Sequence, residues 1–347
     1  MNNSNVEKEK AVFSIKLRYW FVPILKALGN VTPPHYMSRI SRLSNTPEHI
    51  CRLRLKQLYE QGWEFTIYVD ENKLRLRRLI IVLKRKPEKI VRYFLRSVNR
   101  ILPDAKYMIS YYLPITYDEY DLVRYYGDLV EKYYVMKGYE RLRPDLMLMY
   151  FDGSNEEIRV GYDELVRVLN REYSGKPVSL SVKKSSFSGI DLMILKELQR
   201  KPFTSPTELG KKIGLPSVKV LRRLKNLVRD GVIGAFRVTR VPTQQEFIGV
   251  VIVDGLKVTL ELIENLVSIP FVINVGYSED VVAIGVRLSR LGISVLGDVV
   301  EHIGDKYDVR VYLMDPVVKA VYTIPYRYEY SKYRADWVTA VSEREYG

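Results

Sequence analysis

Along residues 217–230 the chain reads SVKVLRRLKNLVRD, in which Val220, Leu224 and Leu227 recur at helical spacing while Lys219, Arg222, Arg223 and Lys225 carry the charge. Cationic groups gathered on one helix face break no bonds; they meet phosphate oxygens and base edges. With Ser217 at its start, this stretch has the chemistry of a helix laid against double-stranded DNA. A second stretch, RISRLSNTPEHICRLRLKQL, offers Arg52, Arg54 and Lys56 in the same way, with Thr46 and Pro47 as cap and first helical residue. A third constellation lies in VGYSEDVVAIGV, where Gly276 and Asp280 stand four apart between two β-rich runs. There Gly supplies a turn, and Asp either caps that turn or meets a cation.

Other chemistries lack their residues. Cys51 is the sole cysteine and His35, His49 and His302 are the only histidines, so no Cys-rich or His-rich metal site is expected. No phosphate-loop, HExxH or GxSxG motif occurs, and no enzyme activity, cofactor or metal is expected. The longest apolar runs fall far short of a membrane span, and MNNSNVEKEK has no apolar signal core; a cytoplasmic, nucleoid-associated protein without membrane contact is the expectation. The abundance of Tyr, Ile, Val, Lys and Arg is compatible with an archaeal-like thermophile.

The net charge of +14 is not evenly spread: residues 15–104 carry +12, residues 188–240 carry +8, and the remainder carries −6. Basicity concentrated in particular segments is a nucleic-acid footprint. Within the first segment, Arg75, Arg77, Arg78, Lys84, Arg85, Lys86, Lys89, Arg92, Arg96 and Arg100 read as a solvated face that could extend a contact to phosphates.

The elements that position these residues follow from periodicity and caps. Ser188 with Asp191 three residues on opens a helix carrying Ile190, Ile194, Leu195 and Leu198. Ser205 and Pro206 open a second helix that Gly214 ends, and Asp230-Gly231 ends the third, after which Val232 to Arg240 reads as a strand or wing. Three short helices and a wing make a winged helix-turn-helix. Strands over 247–253, 271–276, 280–288 and 308–314, with helices over 259–269 and 292–307, then give the ferredoxin-like order βαββαβ.

From about residue 188 to 316 the chain resembles regulators of the leucine-responsive/AsnC (feast/famine) family. The likeness rests on GLPSVKVLRRLKNLVRDGVI, on Asp191 before Ile194-Leu195, and on Gly276 and Asp280, which match that family's Gly-x-x-x-Asp sensor loop. It implies a transcriptional regulator whose ferredoxin-like domain senses a small, typically amino-acid-like effector near Gly276 and Asp280. The family usually has Ser before its recognition helix, and here Pro216 stands in that place. Sirohaem decarboxylases are built from the same two modules, and an architectural DNA binder without effector shares every DNA-binding argument; both remain alternatives.

The N-terminal half answers the C-terminal half at an offset of 169–170 residues: Ile24–Leu28 matches Ile194–Leu198, and Leu55, Leu58 and Gly62 match Leu224, Leu227 and Gly231. A strand over 79–83, a helix over 87–101, strands over 106–114 and 120–126, a helix over 127–139 and a strand over 145–150 would repeat βαββαβ. Aligning Asp121 with Asp280 sets Tyr117 against Gly276, so the first sensor loop is expected to lack a pocket.

The resulting α+β architecture is a winged helix over 15–69, a ferredoxin-like domain over 74–152, a helix (156–173) and linker within 153–187, a second winged helix over 188–241, a second ferredoxin-like domain over 245–316, and a tyrosine-rich extension over 317–347. In that extension Tyr322, Tyr326, Tyr328, Tyr330 and Tyr333 alternate with Arg327, Lys332 and Arg334, as in an edge strand or a single-strand-stacking surface. The two halves are expected to pack as a pseudo-dimer within one chain, with higher homo-oligomers open.

Overall fold

The structure, a computed structural model, describes residues 11–34, 36–178, 187–241, 243, 245–321, 330–331 and 336–337, with 316–321 and the last two pairs described by their backbone. The first half runs β1 (Val12–Lys16), α1 (Val22–Leu28), α2 (Tyr36–Ser44), α3 (Glu48–Glu60), β2 (Trp63–Val69), β3 (Leu76–Leu83), β4 (Leu95–Leu102), β5 (Tyr107–Pro114), α4 (Glu119–Tyr126), β6 (Val130–Met136) and β7 (Gly138–Arg141). A bridge of β8 (Phe151–Asp152), β9 (Glu157–Gly161) and α5 (Glu164–Asn170) follows. The second half runs α6 (Gly189–Arg200), α7 (Pro206–Ile213), α8 (Ser217–Arg229), β10 (Ile233–Arg240), β11 (Glu246–Asp254), α9 (Leu260–Leu266), β12 (Val272–Tyr277), β13 (Val281–Ser289), α10 (Ser294–Ile303) and β14 (Asp308–Val321). Among the described residues no helix is long and apolar enough to cross a membrane.

Local chemistry explains the second half. Ser188 and Asp191 form the capping box that opens α6, the Ser205 hydroxyl accepts from the Glu208 amide at the start of α7, and Gly214 ends α7 at φ +72°. Gly62 and Gly231, each closing a third helix, also lie at positive φ, +83° and +68°. In both modules a proline, Pro47 or Pro216, occupies the N-cap with no side-chain cap, so Thr46 is not the cap expected; its hydroxyl donates to the Ser44 carbonyl instead.

Nine strands form one sheet in the order β6-β3-β5-β4-β14-β11-β13-β12-β7. Only Lys137 separates β6 from β7, and its amide donates to the Tyr277 carbonyl at 2.9 Å, so the chain passes from the edge of β3 to the edge of β12. The sheet thereby closes on itself. Each half contributes strands in an equivalent order, β6-β3-β5-β4 and β14-β11-β13-β12. Strand alternation then sorts the side chains. Leu79, Ile81, Leu83, Ile109 and Tyr111 point outward under α4, while Val82, Met108, Tyr134, Met136, Ile252, Ala283, Tyr312 and Met314 fill one end of the interior.

The two helical units, α1–α3 with β2 and α6–α8 with β10, are not independent. Strands β2 and β10 pair with each other, Trp63 opposite Arg240 and Val69 opposite Ile233, so the strand after each helical unit holds the other unit. Phe203 stacks on Phe236 at 5.0 Å, with Tyr36, Tyr59 and Phe65 around them. Arg237 on β10 forks onto Glu140 of β7 (3.0 and 3.1 Å), fastening this ribbon to the barrel.

The first half departs from the sequence expectation in several places. Residues 87–101 are not a helix: 84–94 is a loop and Leu95–Leu102 is β4, because Val98 faces outward while Ser97, Asn99 and Ile101 face the barrel interior and both β5 and β14 pair with it. Residues 120–126 are helix α4, not a strand; Asp118 caps it by accepting from the Tyr120 amide (2.9 Å), and Leu122 and Tyr126 bury one face. The expected helix over 127–139 is β6 and β7, rich in aromatic and β-branched residues. Met147–Tyr150 is a 3-10 turn, and within 156–173 the helix covers only α5, the preceding residues forming β9 beside β1. With α4 in place of a strand, the match of Asp121 to Asp280 fails. The counterpart of the Ser278–Asp280 turn is Pro103–Lys106, between β4 and β5.

Most of the tyrosine-rich extension, including Tyr322, Tyr326, Tyr328 and Tyr333, lies outside the described residues, as does His35. Tyr330–Ser331 pairs with Asp336–Trp337 as a two-stranded β15–β16 ladder.

Candidate nucleic-acid interface and interior cavity

On α8, Val220, Leu224 and Leu227 are buried, whereas Lys219, Arg222 and Lys225 are exposed and Ser217 is half-buried at the first turn. Residues 217–229 hold five basic and no acidic side chains. Arg223 is the exception to the outward face expected. Its guanidinium turns back to the start of α6, donating to Asp191 (2.9 Å to Oδ2) and to Ser188 Oγ (2.9 Å). Asp191 is only 5% exposed, so Arg223 neutralises a nearly buried carboxylate. Arg223→Ala is therefore expected to lower unfolding stability by about 1–2 kcal/mol, seen as a lower denaturant midpoint. The salt dependence of DNA binding is expected to stay the same.

The matching surface on α3 is electrically spent. Arg52 pairs with Glu48 (3.7 Å), Lys56 pairs with Glu60 (3.8 Å), and Arg54 donates to the Trp20 carbonyl (2.9 Å). Residues 48–60 contain three basic and two acidic side chains. Such i,i+4 pairs contribute little to stability, but they leave less net charge for phosphates than α8 offers.

A cavity of about 550 Å³ occupies the other end of the barrel. Inward positions of almost every strand line it: Arg78 and Ile80 of β3, Ser97 and Asn99 of β4, Ser110 of β5, Tyr139 and Arg141 of β7, Val250 of β11, Gly276 of β12, and Gly285 and Arg287 of β13. Its mouth is built by Glu64 of β2 and Thr239 and Arg240 of β10, from the ribbon that joins the winged helices. Gly276 is in this wall, in extended strand and not at a positive-φ turn; a Cβ there would stand 3.3 Å from Met136 Cγ. Asp280 is exposed and outside the lining, its carbonyl accepting from the Gly255 amide. The structure thus does not bring Gly276 and Asp280 together as a pocket, and the cationic lining does not suit an α-ammonium group.

The electrostatics of the cavity are unusual. Arg78, 8% exposed, is forked onto Glu71, with its Nε 2.7 Å from Oε2, and lies flat on Tyr139 at 3.2 Å from the ring centroid. Tyr139 is half-buried; burial opposes its ionisation, yet the guanidiniums of Arg141, Arg78 and Arg96 bring its hydroxyl below the usual tyrosine range. Arg287 is 3% exposed and has no carboxylate within ion-pair distance among the described residues. Its Nη2 donates to the Arg240 carbonyl, its Nε makes no hydrogen bond, and burial pulls its pKa down to about 10. No sequence signal marks this group, because Arg78, Arg96, Arg141, Arg240 and Arg287 are spread over five separate segments.

Residues 187–233 match the family model described as winged helix-turn-helix DNA-binding. No curated protein matches the chain. Among solved structures, the sirohaem decarboxylase NirDL in co-complex with an iron-uroporphyrin III analogue is similar at 14% identity and TM-score 0.47, over 85% of this chain and 90% of that one. A transcriptional regulator from Neisseria meningitidis in complex with L-Met is similar at 15% identity and TM-score 0.30, over 40% of this chain and 96% of its own. AsnC from E. coli is similar at 18% identity and TM-score 0.26, over 39% and 97%. What the comparisons establish is that residues 187–233, comprising α6, α7 and α8, carry a winged helix-turn-helix of the DNA-binding type.

Proposed function

We propose that the chain is a non-enzymatic, double-stranded-DNA-binding transcriptional regulator in which two winged-helix and two ferredoxin-like modules are arranged as a pseudo-dimer within one molecule. The observation that carries this reading is the outward face of α8, where Lys219, Arg222 and Lys225 stand exposed with no acidic residue in the helix. The equivalent strand orders of the two halves, and the β2–β10 pairing that uses each module's wing to hold the other, support the pseudo-dimer. Since Glu48 and Glu60 offset two of the three cations of α3, the two modules engage DNA unequally.

Selection of binding sites from random duplex DNA tests this. The expected consensus has no twofold symmetry and centres on a single major-groove segment read by α8. A palindromic consensus would sink the unequal pseudo-dimer, and recovery of no duplex above background would sink the DNA reading. Occupancy across the genome separates discrete promoters from the uniform coverage of an architectural protein.

A further inference from the structure

We propose that the barrel cavity is a binding site for an organic polycarboxylate with an apolar body, its carboxylates held by Arg287, Arg141 and Arg240 and its body resting against Ile80, Val250 and Met136.

Arg287 is buried with no carboxylate at ion-pair distance among the described residues. A buried guanidinium without a carboxylate partner lowers the stability of the protein that carries it, and a closed barrel could fill the same place with an aliphatic residue. Arg141, half-buried on β7, likewise has no ion pair among the described residues, and Arg240 is only loosely held by Glu246 at 4.0 Å. Arg78 is not counted, since Glu71 already satisfies it; it serves to hold the Tyr139 ring in place. Against these cations the lining has one acidic residue, Glu64, exposed at the mouth. The guanidiniums of Arg141, Arg78 and Arg96 lower the Tyr139 hydroxyl, the mark of a positive field in this wall, whereas burial is what lowers Arg287.

Guanidinium forks match the planar geometry of carboxylates and bind them through paired hydrogen bonds. Anions alone would be held as well in a polar cleft, but this cavity is also lined by Met108, Met136, Met314, Ile80 and Val250. Cationic and apolar side chains line the same space, Arg287 standing opposite Ile248 and Arg78 opposite Met136, so an occupant must offer both carboxylates and apolar surface. A volume of about 550 Å³ suits a ligand larger than an amino acid. An occupant would also touch Arg240 and Thr239, on the ribbon through which the two winged helices are joined.

Calorimetric titration of the full chain, without DNA, tests the proposal with three probes: naphthalene-2,6-dicarboxylate, its dimethyl ester, and citrate. The dicarboxylate is expected to bind saturably, the ester not at all, and citrate at least tenfold more weakly. Arg287→Met and Arg141→Met are each expected to weaken the dicarboxylate at least tenfold, while ligand-free Arg287→Met unfolds at the same or a higher temperature than the parent. A purely structural role for Arg287 would instead lower that temperature and leave binding unchanged. Equal binding of ester and diacid, equal binding of citrate and diacid, unchanged affinity in Arg141→Met, or no binding of any probe would each overturn the assignment. Because no DNA is present, these results are independent of whether α8 reads a duplex.

Discussion

Replacing Lys219, Arg222 and Lys225 together by alanine is expected to weaken binding to duplex DNA roughly 10²–10³-fold near physiological salt and to flatten the slope of log affinity against log salt by up to about 3. The size follows from counterion release: each cation that neutralises a phosphate frees condensed ions, and three exposed cations on one face act together. All three side chains are exposed, none has an acidic neighbour within α8, and their loss removes no buried contact, so the variant should fold like the parent. The contrast lies in α3. Arg52→Ala with Lys56→Ala is expected to cost less than about threefold, because Glu48 and Glu60 already offset those charges. A mobility-shift titration at two salt concentrations reads both. Unchanged affinity and slope in the triple variant would remove α8 as the reader, and an equal loss from the α3 pair would remove the inequality of the two modules.

Glu71→Ala is expected to destabilise the fold by about 3–5 kcal/mol, measured as a fall in the urea midpoint. Glu71 and Arg78 are each 8% exposed and form a forked pair at the junction between the winged-helix ribbon and β3. Burial works against the Arg78 charge, and Glu71 more than restores it, holding the guanidinium above its usual range. Without Glu71 the guanidinium is left in the barrel wall against the face of Tyr139, in a region that already holds Arg287 and Arg141. The double variant Glu71→Leu with Arg78→Met removes both charges and is expected to recover most of the loss, since a buried pair gives little net stability over a well-packed apolar substitute. A cost under about 1 kcal/mol for Glu71→Ala would show that water reaches this pair.

How much of this was legible in the chain varies by element. In the second winged helix the governing interactions are local: Ser188 and Asp191 three residues apart, Gly214 in a left-handed turn, and Val220, Leu224 and Leu227 on one stripe of α8. The strands β11 and β13 were legible because they are near-continuous runs of Val and Ile, bounded by turns. Residues 95–102 were not, because their role as β4 depends on β5 and on β14, more than 200 residues away. In α4, the Asp118 cap and the acidic first turn are local signals for the helix that a strand over 120–126 leaves unused. Arg223 departs from the outward face because periodicity assigns a face and cannot say that Asp191 stands beside it.

By itself, then, the sequence determined the elements whose hydrogen bonds and buried faces are satisfied within a dozen residues, and with them the basic helix that faces solvent. Only the tertiary structure decided the barrel, the wing-to-wing ribbon and the arginine-lined cavity. Strand partners are chosen by long-range pairing, and a residue's neighbours across a closed sheet have no fixed spacing in the chain. Arg78, read from composition as one more solvated charge in LRLRRL, faces the interior because β3 alternates and its other side is needed under α4. The sequence fixes that alternation, but which face becomes the inside is set by the strands that close around it.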